Sequence, residues 1–171
     1  MVEVVLRAVR VDVGTATPLL LLEEVGGNRV LPIFIGAPEA TAIAYALQDV
    51  ETPRPMTHDL LGNIISSLGG RLFAVEVNGL VDNTYLASLR LLTSGDEIIV
   101  SSRPSDAIAL ALRVGAPILV NDELMEAEGK VMDLGDDADE SIESIDESDE
   151  IDLVDQMRAF LDSVRPEDFD E

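Results

Sequence analysis

Apolar and polar positions change period several times along the chain, and each change marks an element. Between Val2 and Val13, valine and leucine alternate in places with Glu3, Arg7, Arg10 and Asp12, the period-two pattern of a half-buried strand. Pro18 to Glu24 and Arg29 to Ile35 follow, separated by the turn residues Gly26-Gly27-Asn28, so three strands are predicted to open the chain. Pro38 at a first helical position, with Glu39 beside the positive helix end, starts a helix predicted to reach about Val50. Glu51-Thr52-Pro53-Arg54-Pro55 breaks it. From Thr57 onward, Leu60, Leu61, Ile64, Ile65 and Leu68 recur at helical spacing and close at Gly69-Gly70, which predicts an amphipathic helix.

The pattern then restarts. Arg71 to Val81, Tyr85 to Thr93 and Glu97 to Ser101 read as three more strands, with Asp82-Asn83 and Ser94-Gly95-Asp96 as turns. Asp106 to Val114 is apolar almost all round, as expected of a helix packed between layers. Pro117 to Val120 reads as a short strand and Asp122 to Glu128 as a helical turn or two. A repeat runs through this plan: Ile33 to Leu47 aligns without a gap on Ile98 to Leu112, with 6 of 15 positions identical. The expectation is an α+β fold of duplicated units, each with three strands followed by helices, forming a compact mixed sheet flanked by helices.

Charge divides the chain. Residues 1–132 carry 9 Lys and Arg against 17 Asp and Glu, a net of -8, while residues 133–171 carry 2 against 17, a net of -15. Three parts are therefore expected: a domain over 1–132, an acidic disordered linker over 133–150, and an amphipathic helix over 151–171 with Leu153, Met157, Phe160, Leu161 and Val164 on one stripe. A body at -8 is not a generic nucleic-acid binder, because phosphate contacts need a concentrated cationic face. Any such face must be local and built from scarce arginines. Cysteine is absent and His58 is the one histidine, which removes thiolate and histidine-cluster zinc sites. A metal here would be held by carboxylate oxygens, as Mg²⁺ or Mn²⁺ are, and no organic cofactor is expected. No apolar run reaches the roughly 18 residues of a membrane span, and the N-terminus lacks a basic signal region. A cytoplasmic, soluble protein is expected.

The candidate chemistry gathers at helix starts. Thr57 and Ser105 suit N-caps, and Asp59 and Asp106 suit first turns, where the helix dipole favours an anion. On a helical wheel the stripe Leu60 to Leu68 centres about 90° from His58, placing His58 and Asp59 off the core face. His58, flanked by Arg54 and Asp59, can act as a general acid or base or serve structurally. Arg54 and Arg103 can clamp a phosphate beside two helix N-termini or form local salt bridges. Asp59, Asp106 and Glu39 can converge on a divalent ion that activates water or merely start helices. Tyr45, about opposite the stripe of Ala40, Ile43, Ala44 and Leu47, is either exposed or at a subunit contact.

Ile33-Phe34-Ile35-Gly36 with Glu39-Ala40, then Arg54-Pro55-Met56-Thr57-His58-Asp59-Leu60-Leu61, then Ser102-Arg103-Pro104-Ser105-Asp106-Ala107-Ile108, resemble the bifunctional nuclease (BFN) domain family. The resemblance covers about residues 1–130, and the C-terminal Pro166-Glu167-Asp168-Phe169 is similar to bacterial endings of the family. It implies hydrolysis of RNA and DNA, a nucleic-acid partner, and a compact α+β fold that self-associates, a dimer being favoured. The family motif residues matched are Glu39, Arg54, Thr57, His58, Asp59, Arg103 and Asp106. A non-catalytic oligomeric or regulatory module is the alternative, in which the Arg-Pro turns are only caps and salt bridges.

Overall fold

The computed structural model describes residues 1–12 and 14–131. The linker expected at 133–150 and the helix expected at 151–171 lie outside these residues.

Two antiparallel meanders make up most of the sheet. The first is β1 (Val2–Asp12), β2 (Thr17–Glu24) and β3 (Arg29–Phe34), followed by α1 (Ala37–Leu47) and α2 (Thr57–Ser67). The second is β4 (Gly70–Val81), β5 (Thr84–Thr93) and β6 (Asp96–Ser102), followed by α3 (Pro104–Val114), β7 (Ile118–Val120), α4 (Asp122–Glu128) and β8 (Lys130–Val131). The strand order is β6-β5-β4-β7-β1-β2-β3-β8. β7 thus joins the meanders, parallel to β4 and antiparallel to β1. Each meander runs outward from the centre to its third strand, as duplication requires, and the expected α+β architecture holds. β8, not foreseen in the sequence, pairs with the start of β3 at one edge.

Leu20, Leu22, Leu31 and Ile33 of the first meander and Val75, Val77 and Leu89 of the second share one buried core with Ile43, Ile108, Leu110 and Met125. Helix α3 lies at its centre, packed on α1, α2, β4 and β5. Ala107 to Ala111 are consequently buried without a break, and the alanines let neighbouring elements approach closely. None of the helices among the described residues is long and apolar enough to cross a membrane.

Two helix boundaries differ from the expected ones for local reasons. Helix α1 stops at Leu47; Asp49 takes a left-handed conformation (φ 50°), and Pro53 and Pro55 disfavour helical backbone in the residues before them. Helix α3 begins at Pro104, two residues before Asp106, because proline's fixed φ suits the first helical position. Strand β6 runs through Ser102, so the expected turn contracts to Arg103.

Candidate functional site

The starts of α1, α2 and α3 share one plan. Their N-cap residues are Gly36, Met56 and Arg103, and none uses its own side chain as a cap. Thr57 and Ser105, expected as caps, instead sit inside the first turns, with Ser105 buried. The third helical residue is acidic in every case: Glu39, Asp59 and Asp106. The ungapped repeat pairs Glu39 with Pro104, yet in the structure Glu39 and Asp106 hold the same helical position. Only Asp59 returns to its own cap, accepting the Met56 N–H at 2.8 Å.

Glu39 and Asp106 meet through Arg103. Its Nε donates to Asp106 Oδ2 at 2.8 Å, its Nη2 to Asp106 Oδ1 at 3.2 Å and its Nη1 to Glu39 Oε1 at 2.8 Å. On the other side of Asp106, His58 Nε2 lies 3.3 Å from Oδ1. A carboxylate only accepts, so the proton on this contact belongs to Nε2, leaving Nδ1 for other partners. Burial pushes the Asp106 carboxyl up, but the hydrogen bonds from Arg103 and His58 outweigh it and hold it below the usual range. The bonds that Arg103 donates to Asp106 and to Glu39 raise its own value further above an already high one.

His58 was expected off the core face, and the structure corrects this: its side chain is only 12% exposed. The apolar stripe of α2 is wider than the surface α2 buries. Gly62 packs against α3, where an added Cβ would lie 3.3 Å from Val114 and 3.7 Å from Leu110. That orientation turns Leu61, Ile65 and His58 inward and leaves Leu60, Ile64 and Leu68 exposed.

Asp59 points to a different arginine. Arg113 Nε donates to Asp59 Oδ1 at 2.5 Å, Nη1 to Ala109 O at 2.8 Å and Nη2 to Ala42 O at 2.9 Å. One guanidinium therefore ties α1, α2 and α3 together. Burial raises the Asp59 carboxyl, but the Met56 N–H and Arg113 together bring it below the usual range. Sequence reasoning missed Arg113, although a lone base in an otherwise apolar helix, four residues beyond a carbonyl it can reach, was the available signal.

The expected constellation is thus brought together in part. Glu39, Arg103, Asp106 and His58 form one chain of contacts, and Asp59 is next to His58 in sequence but bound elsewhere. The Arg54 side chain makes no hydrogen bond or ion pair among the described residues. The three carboxylates expected to hold Mg²⁺ or Mn²⁺ do not fit that task as arranged. Both Asp59 oxygens are engaged, Glu39 and Asp106 are bridged by Arg103, and no cluster of three His, Asp or Glu side chains suited to a metal occurs among the described residues. A cleft of about 670 Å³ opens beside His58 and Asp59, between the end of α1 and the helices α2 and α3. Tyr45, half-buried, lines it together with Asn63, Ser66 and Arg113, and Asp49 and Glu51 add negative charge.

Comparison with known proteins agrees with these motifs. Residues 20–133 match the bifunctional nuclease domain family. An uncharacterized protein of Mycobacterium tuberculosis is 43% identical over 167 residues, covering 98% of this chain and 97% of that protein. Bifunctional nuclease 2 of Arabidopsis thaliana is 31% identical over 121 residues, and bifunctional nuclease 2 of Oryza sativa subsp. japonica is 30% identical over 114. These alignments cover 68% and 65% of this chain but only 37% and 35% of the plant proteins.

Proposed function

The chain belongs to the bifunctional nuclease domain family, and from that premise we propose that it hydrolyses phosphodiester bonds of RNA, DNA or both. The observation that carries the reading is the His58–Asp106–Arg103 chain of contacts, which joins the start of α2 to the second copy of the repeat. Asp106 orients the imidazole by accepting from Nε2. Nδ1 is then the atom that takes a proton from an attacking hydroxyl or water, or gives one to the leaving oxygen; imidazole suits that exchange near neutral pH. Arg103 uses three of its five N–H donors on Asp106 and Glu39, which leaves two for phosphate oxygens. Its side chain is 65% exposed, open to a substrate. Arg54, also exposed, would meet the substrate backbone farther out. No step is routed through a divalent ion, since the carboxylates do not form a shared site for one.

One observation favours a second reading, a non-catalytic binding module: Arg103 is neutralised by two carboxylates, so the local field on a phosphate is weak. The deciding experiment incubates the full chain with single-stranded RNA and DNA, with and without EDTA, beside His58→Ala and Asp106→Asn. Loss of a general acid or base lowers rate by about 10²–10⁴-fold. Cleavage unchanged in both variants would assign the activity to a contaminant, and no cleavage by the parent chain would leave the binding module. Cleavage abolished by EDTA would show that a divalent ion takes part.

A further inference from the structure

The two outer edges of the sheet are treated differently. At the β3 edge, β8 pairs with Arg29 and Val30, and Pro32 removes a backbone donor farther along. The β6 edge has none of these devices. It contains no proline and no lysine, it packs substantially on β5 alone, and no strand among the described residues pairs with its outer side. Ile98, Ile99 and Val100 are 45%, 65% and 40% exposed, so side chains on both faces of the strand meet solvent beside a row of unpaired backbone groups.

We propose that β6 is the dimerisation strand of this protein, pairing antiparallel with β6 of a second copy about a two-fold axis at Ile99. An axis of that kind stands perpendicular to the sheet, so opposed residues must lie on the same face. Centring on Ile99 meets this condition. Ile99 faces Ile99 across the axis, Ile98 faces Val100, Glu97 faces Ser101 and Asp96 faces Ser102. Every central pair is apolar, and each carboxylate meets a hydroxyl. For a chain of net charge -23, which repels its own copies over most surfaces, an acid-free run from Ile98 to Ser102 is a place where two copies can approach. The acidic end of the strand falls against its uncharged end only when the partner is another copy running antiparallel. The pairing would make one continuous sheet that runs through both copies.

The test uses the full chain and does not depend on nuclease activity. Light scattering after gel filtration should give twice the 18.4 kDa chain mass at micromolar concentration. Ile99→Lys, which places two like charges on the axis, should halve that mass while circular dichroism and melting temperature stay those of the parent. Because the chain has no cysteine, the register can be read directly. Ile99→Cys should cross-link to itself under mild oxidation, opposed Cα atoms in a ladder lying about 4.5–5.5 Å apart. Ser101→Cys, on the same face, should not, since two copies of that position would lie about 13 Å apart. A parent chain monomeric at every concentration, a dimer that survives Ile99→Lys, or cross-linking at Ser101→Cys rather than at Ile99→Cys would each overturn the proposal.

Discussion

Arg103 and Arg113 stand at opposite ends of the same helix, and each binds a carboxylate from the third position of a helix, yet the two pairs do different work. Arg113 is 11% exposed and spends its guanidinium on Asp59 and two backbone carbonyls. Every bond it makes joins one helix to another or to itself. Arg103 is 65% exposed, shares its charge between Glu39 and Asp106, and keeps two N–H groups for solvent. A buried, fully used guanidinium fixes the scaffold, whereas an exposed, partly used one beside a histidine is suited to a ligand. The same residue types at the same helical position thus have roles set by burial and by what else each donor reaches.

The largest effect that sharpens this contrast is on chemistry. Under the nuclease reading, His58→Ala removes about 10²–10⁴-fold of rate. Because the side chain is only 12% exposed, its truncation should also lower the urea midpoint, but by a smaller factor than it lowers the rate. A large fall in the midpoint with little change in rate would move His58 to the structural side of the comparison.

Arg113 should respond in the opposite way. Arg113→Met strands the Asp59 carboxylate and the carbonyls of Ala42 and Ala109 without their donor. Breaking a buried pair costs about 3–5 kcal/mol; Asp59 is a third exposed, so about 2–4 kcal/mol is expected after solvent screening. Urea unfolding measures it. A loss no larger than that of Arg103→Ala, where an exposed pair contributes about 0–1 kcal/mol, would erase the distinction.

The meanders, the repeat and the helices were legible because period-two and period-3.6 patterns switch at Gly and Pro, and those residues act locally. The start of α3 was misplaced because Ser105-Asp106 looks like a cap and first turn, while Pro104 sets the true boundary. The face of α2 was misplaced because its stripe, Leu60 to Leu68, is broader than its contact; Gly62, a residue with no side chain to count, decides which half is buried. His58, Asp106, Arg103 and Glu39 were recognisable as candidates, but their contacts depend on how three helices cross. No sequence spacing encodes the 48 residues between His58 and Asp106 as a distance. β8 escaped notice since two residues are too few to show a period.

Acid separates the two carboxylates from the rest of the fold. Asp106 and Asp59 both have folded-state values lowered from 3.8. The stability they contribute is therefore complete above that ordinary value and is lost as pH falls through the lower folded one. Melting temperatures of the parent chain and Asp106→Asn should differ at pH 6 and converge as acid takes the pH below the lowered folded-state value, where both states carry the proton. Curves that stay parallel to acid would show that Asp106 contributes through packing rather than charge.

The smallest expected effect tests whether Glu39 restrains Arg103. Glu39→Gln keeps the shape of the side chain and removes one of the two negative charges beside an exposed guanidinium. Stability should change by less than about 1 kcal/mol, the usual range for such pairs. Affinity for a short single-stranded RNA should rise by no more than about fivefold at low salt, and the gain should vanish near 0.2 M as screening takes over within a Debye length of about 7 Å. Arg103→Ala should abolish the gain, because the Glu39 charge acts on RNA through that guanidinium. If Glu39→Gln strengthens binding equally in the Arg103→Ala background, the carboxylate merely repels RNA, and the exposed arginine loses its claim to be the phosphate contact.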